Sequence, residues 1–167
     1  MNWWNGITKE DKELDKNHTS FQITSEMKRL WCHVIWTTDK QQRVLHPGLR
    51  KKLFPYMTEY CAYKDIKLDC LNGHAEHVHC LFPYTFDTDL AKNIYLIQKE
   101  TENWIKKHKF IEGDEEFVWN RNFIALSVGQ SSIEALRTYI KAQEVIHKKK
   151  TYRQEFTEIV EKYGFKR

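Results

Sequence analysis

The sequence predicts an α+β fold of the ferredoxin-like, RRM-like class: an antiparallel sheet in βαββαβ order with helices on one face, followed by additional C-terminal helices. Three observations predict it. Runs of strand length alternate with stretches of helical period in the order strand, helix, strand, strand, helix, strand. The dipeptide Asn72-Gly73 separates the second and third strand-like runs, as a tight hairpin requires. A chain of 167 residues, 41% of them apolar, suffices for one core and leaves little for a second.

Residues 1–25 are polar and hold neither period, so they are expected to form an N-terminal extension, with the body of the protein at 26–167. Trp3 and Trp4 are unusual in a tail and suggest that its start docks on the body. From Arg29 to Thr38 the run is rich in β-branched and aromatic residues and reads as a central strand. A lone His in such a strand, here His33, reads as a packed or hydrogen-bonded residue.

Pro47 opens a helix with Leu49, Leu53, Met57 and Cys61 at near four-residue spacing, and Pro55 inside that pattern predicts a kink or two short helices. Asp65 to Asn72 reads as the second strand and His77 to Tyr84 as the third. Asp87 or Thr88 can cap the next helix, in which Leu90, Ile94, Ile97, Thr101, Trp104 and Ile105 recur with helical period, with Lys92, Lys99 and Lys106 on the opposite face. The charged loop 112–116 precedes a fourth strand at Phe123 to Val128. A long helix is expected from Ser131 or Ser132 to about Lys149, and a last one in Thr151 to Phe165 with Phe156, Ile159, Val160 and Tyr163 on one face.

No apolar run approaches the roughly 20 residues of a membrane span, and no export signal is legible, so the expected address is the cytoplasm with no membrane partner. Cys32, Cys61, Cys70 and Cys80 lack the two-residue spacing of zinc or redox motifs and read as buried thiols. Net charge is only +4, yet Arg137 to Arg153 carries six Lys or Arg residues against Glu144 alone. Such a segment suits a polyphosphate, or is simply a solvated helix face.

The candidate chemistry lies in Glu76-His77-Val78-His79-Cys80-Leu81. On a strand, His77 and His79 share one face, about 7 Å apart, while Val78, Cys80 and Phe82 take the other and enter the core. The pair can converge on one ion, although the same pattern also occurs in strands that bind none. With helices on the core face only, both histidines are expected to look out from the uncovered face. On the helix from Ser132, Tyr139 and Gln143 stand one turn apart beside the stripe of Ile133, Leu136 and Ile140, so both can address one small target. Two imidazoles and an amide oxygen suit a divalent ion with open positions, and a metal-bound phosphate would activate a tyrosine that is otherwise a weak nucleophile.

From about Met27 to Phe165 the chain resembles the IS200/IS605 family of single-strand (Y1) transposases in the HUH endonuclease superfamily, which includes the REP-associated tyrosine transposases. The matching pieces are Trp36-Thr37-Thr38, Glu76-His77-Val78-His79, Trp104-Ile105, Trp119-Asn120-Arg121-Asn122-Phe123, Ser127-Val128 and Tyr139-Ile140-Lys141-Ala142-Gln143. The resemblance implies that His77, His79 and Gln143 hold Mg²⁺ or Mn²⁺. It further implies that Tyr139 attacks a phosphodiester of single-stranded DNA, giving a 5′-phosphotyrosine and a free 3′-hydroxyl that can rejoin strands with no nucleotide cofactor. It also implies a homodimer with sites shared between subunits and recognition of a DNA hairpin. Lys99, Arg121, Arg137, Lys141, Lys148, Lys149 and Lys150 are candidates for phosphate contact, with exposed aromatics for base stacking. Glu76 replaces a frequent Asp, Glu100 replaces a common Gly, and residues 1–25 have no counterpart in the family. Two other readings compete: a non-catalytic nucleic-acid-binding domain of the same fold, and a metal hydrolase using activated water to which His33 and His74 add ligands.

Overall fold

The computed structural model describes residues 30–85, 87–111 and 117–165; the N-terminal extension, Trp3, Trp4, Arg29 and the loop 112–116 lie outside them. Among the described residues four strands, β1 (Leu30–Thr38), β2 (Cys70–Gly73), β3 (His77–Tyr84) and β4 (Trp119–Ser127), form one sheet in the order β2-β3-β1-β4. Every neighbouring pair is antiparallel. With α1 (Pro47–Tyr63) between β1 and β2 and α2 (Leu90–Lys107) between β3 and β4, this is the expected βαββαβ arrangement.

Alternation along the central strands sorts residues to two faces. Val34 and Trp36 of β1 and Val78, Cys80 and Phe82 of β3 enter the main core with Leu49, Leu53, Met57 and Cys61 of α1 and Ile94, Ile97 and Ile105 of α2. Helix α1 runs as one element through Pro55 rather than breaking there. Pro55 lies on the exposed face, so the backbone carbonyl its ring cannot bond is on the solvent side, while the buried stripe holds the helix in line. Helix α2 is capped by Asp89, whose side chain accepts from the Lys92 N–H at 2.9 Å, one residue later than expected. The four cysteines are free thiols, two of them buried and two half-buried.

The hairpin is present, but its turn is not at Asn72-Gly73. Both residues belong to β2, opposite His79 and Val78, and the chain reverses over residues 74–76. Gly73 is required there for space: a Cβ would sit 2.1 Å from the His77 carbonyl oxygen. Strand β2 is shorter than the expected 65–72, and β4 begins earlier, at Trp119, whose N–H and indole N–H donate to Glu102 and Thr101, both at 2.8 Å.

The second face of the sheet is covered, contrary to expectation. Helices α3 (Ile133–Lys141), α4 (Gln143–Ile146) and α5 (Tyr152–Tyr163) follow β4, and Ile133 and Ile140 pack with Leu81 of β3 in a second apolar cluster. The single long helix expected to Lys149 is broken at Ala142. The Asn72 side-chain amide donates to the Lys141 carbonyl at 2.9 Å, taking the acceptor that would continue the helix. Helix α5 opens with a capping box at Thr151 and Gln154, but Phe156 and Tyr163 are exposed; its inward residues are Tyr152, Glu155 and Val160.

Candidate active site

Because α3–α5 lie over the histidine face, His77 and His79 do not look out at solvent: both have 0% exposure. Four residues singled out in the sequence meet here within one chain. His77 Nε2 lies 3.0 Å from Gln143 Oε1, and the Tyr139 ring stands edge-on to His79 at 5.8 Å between centroids. Tyr139 reaches over the strand from α3. The break at Ala142 starts α4 with Gln143, whose side chain is fully buried against the pair.

Four further residues complete the constellation. His33 Nε2 lies 2.9 Å from His79 Nδ1, as diagonal neighbours on adjacent strands can. His147, past the end of α4, presents Nε2 at 2.9 Å from Gln143 Oε1. Glu155 of α5 is 1% exposed and accepts from the Tyr139 hydroxyl and, at 3.2 Å, from the Gln143 amide. Its carboxylate also lies 3.6 Å from His77 Nε2, 3.5 Å from His79 Nε2 and 3.1 Å from His147 Nε2. Tyr152 stacks on His77 with ring centroids 4.5 Å apart.

Burial governs the charges. It lowers the pKa of His33 to about 3, of His77 to about 2 and of His79 to about 3, and His147 shifts the same way, so the imidazoles are neutral. Glu155 is pushed up to about 7, first by burial and then by the Glu158 charge. The donor set fits a divalent cation: neutral imidazole nitrogens, an amide oxygen and a carboxylate converge in a closed space. His77, His147 and Glu155 offer ligand atoms all within 4.8 Å of one another, and His79 Nε2 is buried with no hydrogen-bond partner. On its other edge, His77 Nδ1 is also without a partner.

Sequence reasoning missed Glu155 and His147. The signal available for Glu155 was its place on the stripe of Tyr152 and Ile159, at i, i+3 and i+7 after the capping-box signature Thr-x-x-Gln. Nothing local marked His147. A cavity of about 440 Å³ runs beside the site between β4, α3 and α5, with His33, Tyr139, Glu155, Lys150 and Lys162 among its lining residues.

The basic candidates separate into two groups. Arg137 is committed to Asp69 and Glu134 and lies over the Trp31 ring; Arg121 and Lys99 both meet Glu102, and Lys150 meets Glu158. Lys141, Lys148 and Lys149 are exposed.

The four-stranded βαββαβ sheet thus carries a paired-histidine strand covered by the helices that bear Tyr139 and Gln143. Residues 26–143 match the family described as "Transposase IS200 like", and the chain belongs to that Y1 transposase family. No curated protein matches by sequence. Among solved structures, the chain is similar to a candidate transposase from Deinococcus radiodurans R1, with 17% identity and a TM-score of 0.57 over 74% of this chain and 97% of that one. It is also similar to a REP-associated tyrosine transposase bound to a REP hairpin, with 13% identity and a TM-score of 0.53 over 78% of this chain and 74% of that one. At these identities the likeness concerns the fold.

Proposed function

We propose that the protein is a metal-dependent single-stranded DNA endonuclease and strand transferase in which Tyr139 is the nucleophile. The observation that carries this reading is the meeting of Tyr139 and Gln143 with His77 and His79 around one buried point. His77, His79 and Gln143 would hold Mg²⁺ or Mn²⁺, which when bound polarises the phosphate and stabilises charge in the transition state. The Tyr139 hydroxyl hydrogen is directed at Glu155, leaving an oxygen lone pair for phosphorus. Attack forms the Tyr139 Oη–P bond and breaks the P–O3′ bond, giving a 5′-phosphotyrosine and a 3′-hydroxyl. Reversal by a 3′-hydroxyl rejoins strands, so no nucleotide cofactor is consumed.

The substrate on this reading is single-stranded DNA beside a hairpin, acted on in the cytoplasm. Within one chain Tyr139 reaches its own histidine pair, which supports a site completed in cis; the homodimer with shared sites implied by resemblance is the alternative. Mixing His77→Ala with Tyr139→Phe subunits discriminates them, because only exchange of the tyrosine helix restores activity. Full burial of His77 and His79 favours a second reading, a non-catalytic nucleic-acid-binding domain. A hairpin oligonucleotide with Mn²⁺ tests both: a covalent band on a denaturing gel that vanishes in Tyr139→Phe supports the transferase. Ion-independent binding with no adduct supports the binding domain.

A further inference from the structure

We propose that the cavity between β4, α3 and α5 is a pocket for one unpaired nucleotide of the DNA strand, whose base enters the apolar interior while its phosphate meets Lys162 at the mouth. The inference deepens the transferase reading and rests on it for the identity of the ligand. It concerns α5, which lies past residue 143, where the family match ends.

The cavity volume, about 440 Å³, falls in the range of pockets that enclose small organic ligands. Burial grades across it. His33, Leu126 and Glu155 form a buried inner end, Leu136, Tyr139 and Ile159 are half-buried, and Lys162 and Tyr163 are exposed. Two helices carry this gradient along one face each. Glu155, Ile159 and Lys162 stand at i, i+4 and i+7 on α5, and Ser132, Leu136 and Tyr139 stand at the same spacing along α3 from its N-cap.

The inner end bears the nucleophile. His77, His79 and Gln143 have 0% exposure and Glu155 has 1%, so in this arrangement no strand lies across the histidine pair itself. Tyr139 alone of the proposed catalytic set is half-buried, and it lines this cavity. A strand that brings a phosphodiester to Tyr139 through this opening places an adjoining nucleoside inside it.

The lining suits that occupant. Leu126, Val128, Leu136 and Ile159 supply apolar wall, which favours a flat base over a bare phosphate. At the mouth, Lys162 Nζ lies 5.5 Å from the Tyr163 ring centroid and makes no ion pair among the described residues. An exposed ring beside an uncommitted ammonium is the combination single-strand binders use, the ring for a base and the cation for the backbone. The two acids of the lining are both engaged: Glu158 holds Lys150, and Glu155 accepts from Tyr139 and from the Gln143 amide. Lys162 therefore remains the cation free to meet a phosphate, and α5 would serve as a wall of the DNA site as well as the cover of the histidines.

The test follows the methyl resonances of Leu126, Val128, Leu136 and Ile159 by NMR in the full chain, with EDTA present so that no metal chemistry intervenes. The probes are the four deoxynucleoside 5′-monophosphates, deoxyribose 5-phosphate, and a hairpin oligonucleotide with a single-stranded flank. The expected result is that mononucleotides shift these methyls with a dissociation constant on the order of 1 mM, and that the oligonucleotide displaces them. Deoxyribose 5-phosphate, which lacks a base, should bind about tenfold more weakly, and so should every mononucleotide to Ala135→Trp, which fills the cavity. Lys162→Ala should weaken mononucleotides about threefold and leave the corresponding nucleosides unaffected. Methyls that do not move, equal affinity for deoxyribose 5-phosphate, or mononucleotides that the oligonucleotide fails to displace, the mark of a free-nucleotide site, would overturn the proposal. Where circular dichroism shows Ala135→Trp unfolded, the probes on the unaltered chain decide. Displacement without a covalent adduct sinks the transferase reading alone; an adduct without displacement sinks the pocket alone.

Discussion

His33 Nε2 and His79 Nδ1 lie 2.9 Å apart and their rings stack at 5.1 Å, so the two central strands lock the orientation of one imidazole of the pair. In the tautomer in which His79 donates through Nδ1, its Nε2 lone pair is left facing the site. His33→Ala removes that partner without touching the other donors. The expected outcome is a 10- to 100-fold loss of Mn²⁺ affinity, roughly the effect of losing an outer-shell partner, with the circular dichroism spectrum retained. Calorimetric titration decides it, and unchanged affinity would remove His33 from the site.

Gly73 faces the backbone of the histidine strand. An added Cβ would approach the His77 carbonyl oxygen to 2.1 Å and the Val78 Cα to 2.8 Å, and neither can yield as a side chain could. Gly73→Ala is expected to destabilise the fold by roughly 2–4 kcal/mol, in the range of severe core mutations. Urea denaturation measures the loss; a change under about 0.5 kcal/mol would show that the hairpin accommodates the methyl group.

In the metal-free protein, acid should destabilise. His33, His77 and His79 have folded pKa values near 3, 2 and 3 against 6.5 when unfolded, so the unfolded chain takes up protons that the folded one refuses. Their contribution to stability is present above 6.5 and is lost as pH falls toward 3. Glu155, raised from 4.5 to about 7, acts oppositely, holding a proton in the folded state and losing its contribution as pH rises through that window. Three groups outweigh one, and each proton is worth on the order of 1 kcal/mol per pH unit. Urea midpoints in EDTA should therefore fall from pH 7 to pH 4.5; a flat or rising profile would contradict neutral burial of the histidines.

Exposed lysines and committed arginines should behave differently toward DNA. Lys148 and Lys149 are exposed, so their double replacement by Ala should weaken single-strand binding and reduce the slope of log affinity against log salt by about 1.4. Arg137 is held by Asp69 and Glu134, and its guanidinium keeps the Asp69 carboxyl below its usual range. Arg137→Ala should chiefly loosen α3 from the β2 edge, seen as a lowered melting temperature. A salt slope that drops as far in Arg137→Ala as in the double lysine variant would reverse the assignment.

Much of the fold could be read from local pattern. The β-branched and aromatic runs of β1 and β3 and the four-residue stripe of α1 report local propensity and burial, and all three appear as the expected elements. Asn72-Gly73 misled because each residue has a second use. Asn72 terminates α3, and Gly73 admits a passing backbone; both depend on segments distant in sequence.

The sequence by itself determined the βαββαβ order of elements, the core face, the side of β3 on which the two histidines fall, and the pairing of Tyr139 with Gln143. These follow from periodicity, or from the residues that carry the resemblance. Only the tertiary structure decided that the histidine face is sealed and that Glu155, His147 and His33 converge on it. Those residues come from α5, from the turn after α4 and from β1. Their approach depends on the break at Ala142 and on where α5 packs, and both are set by long-range contacts that leave no local period in the chain.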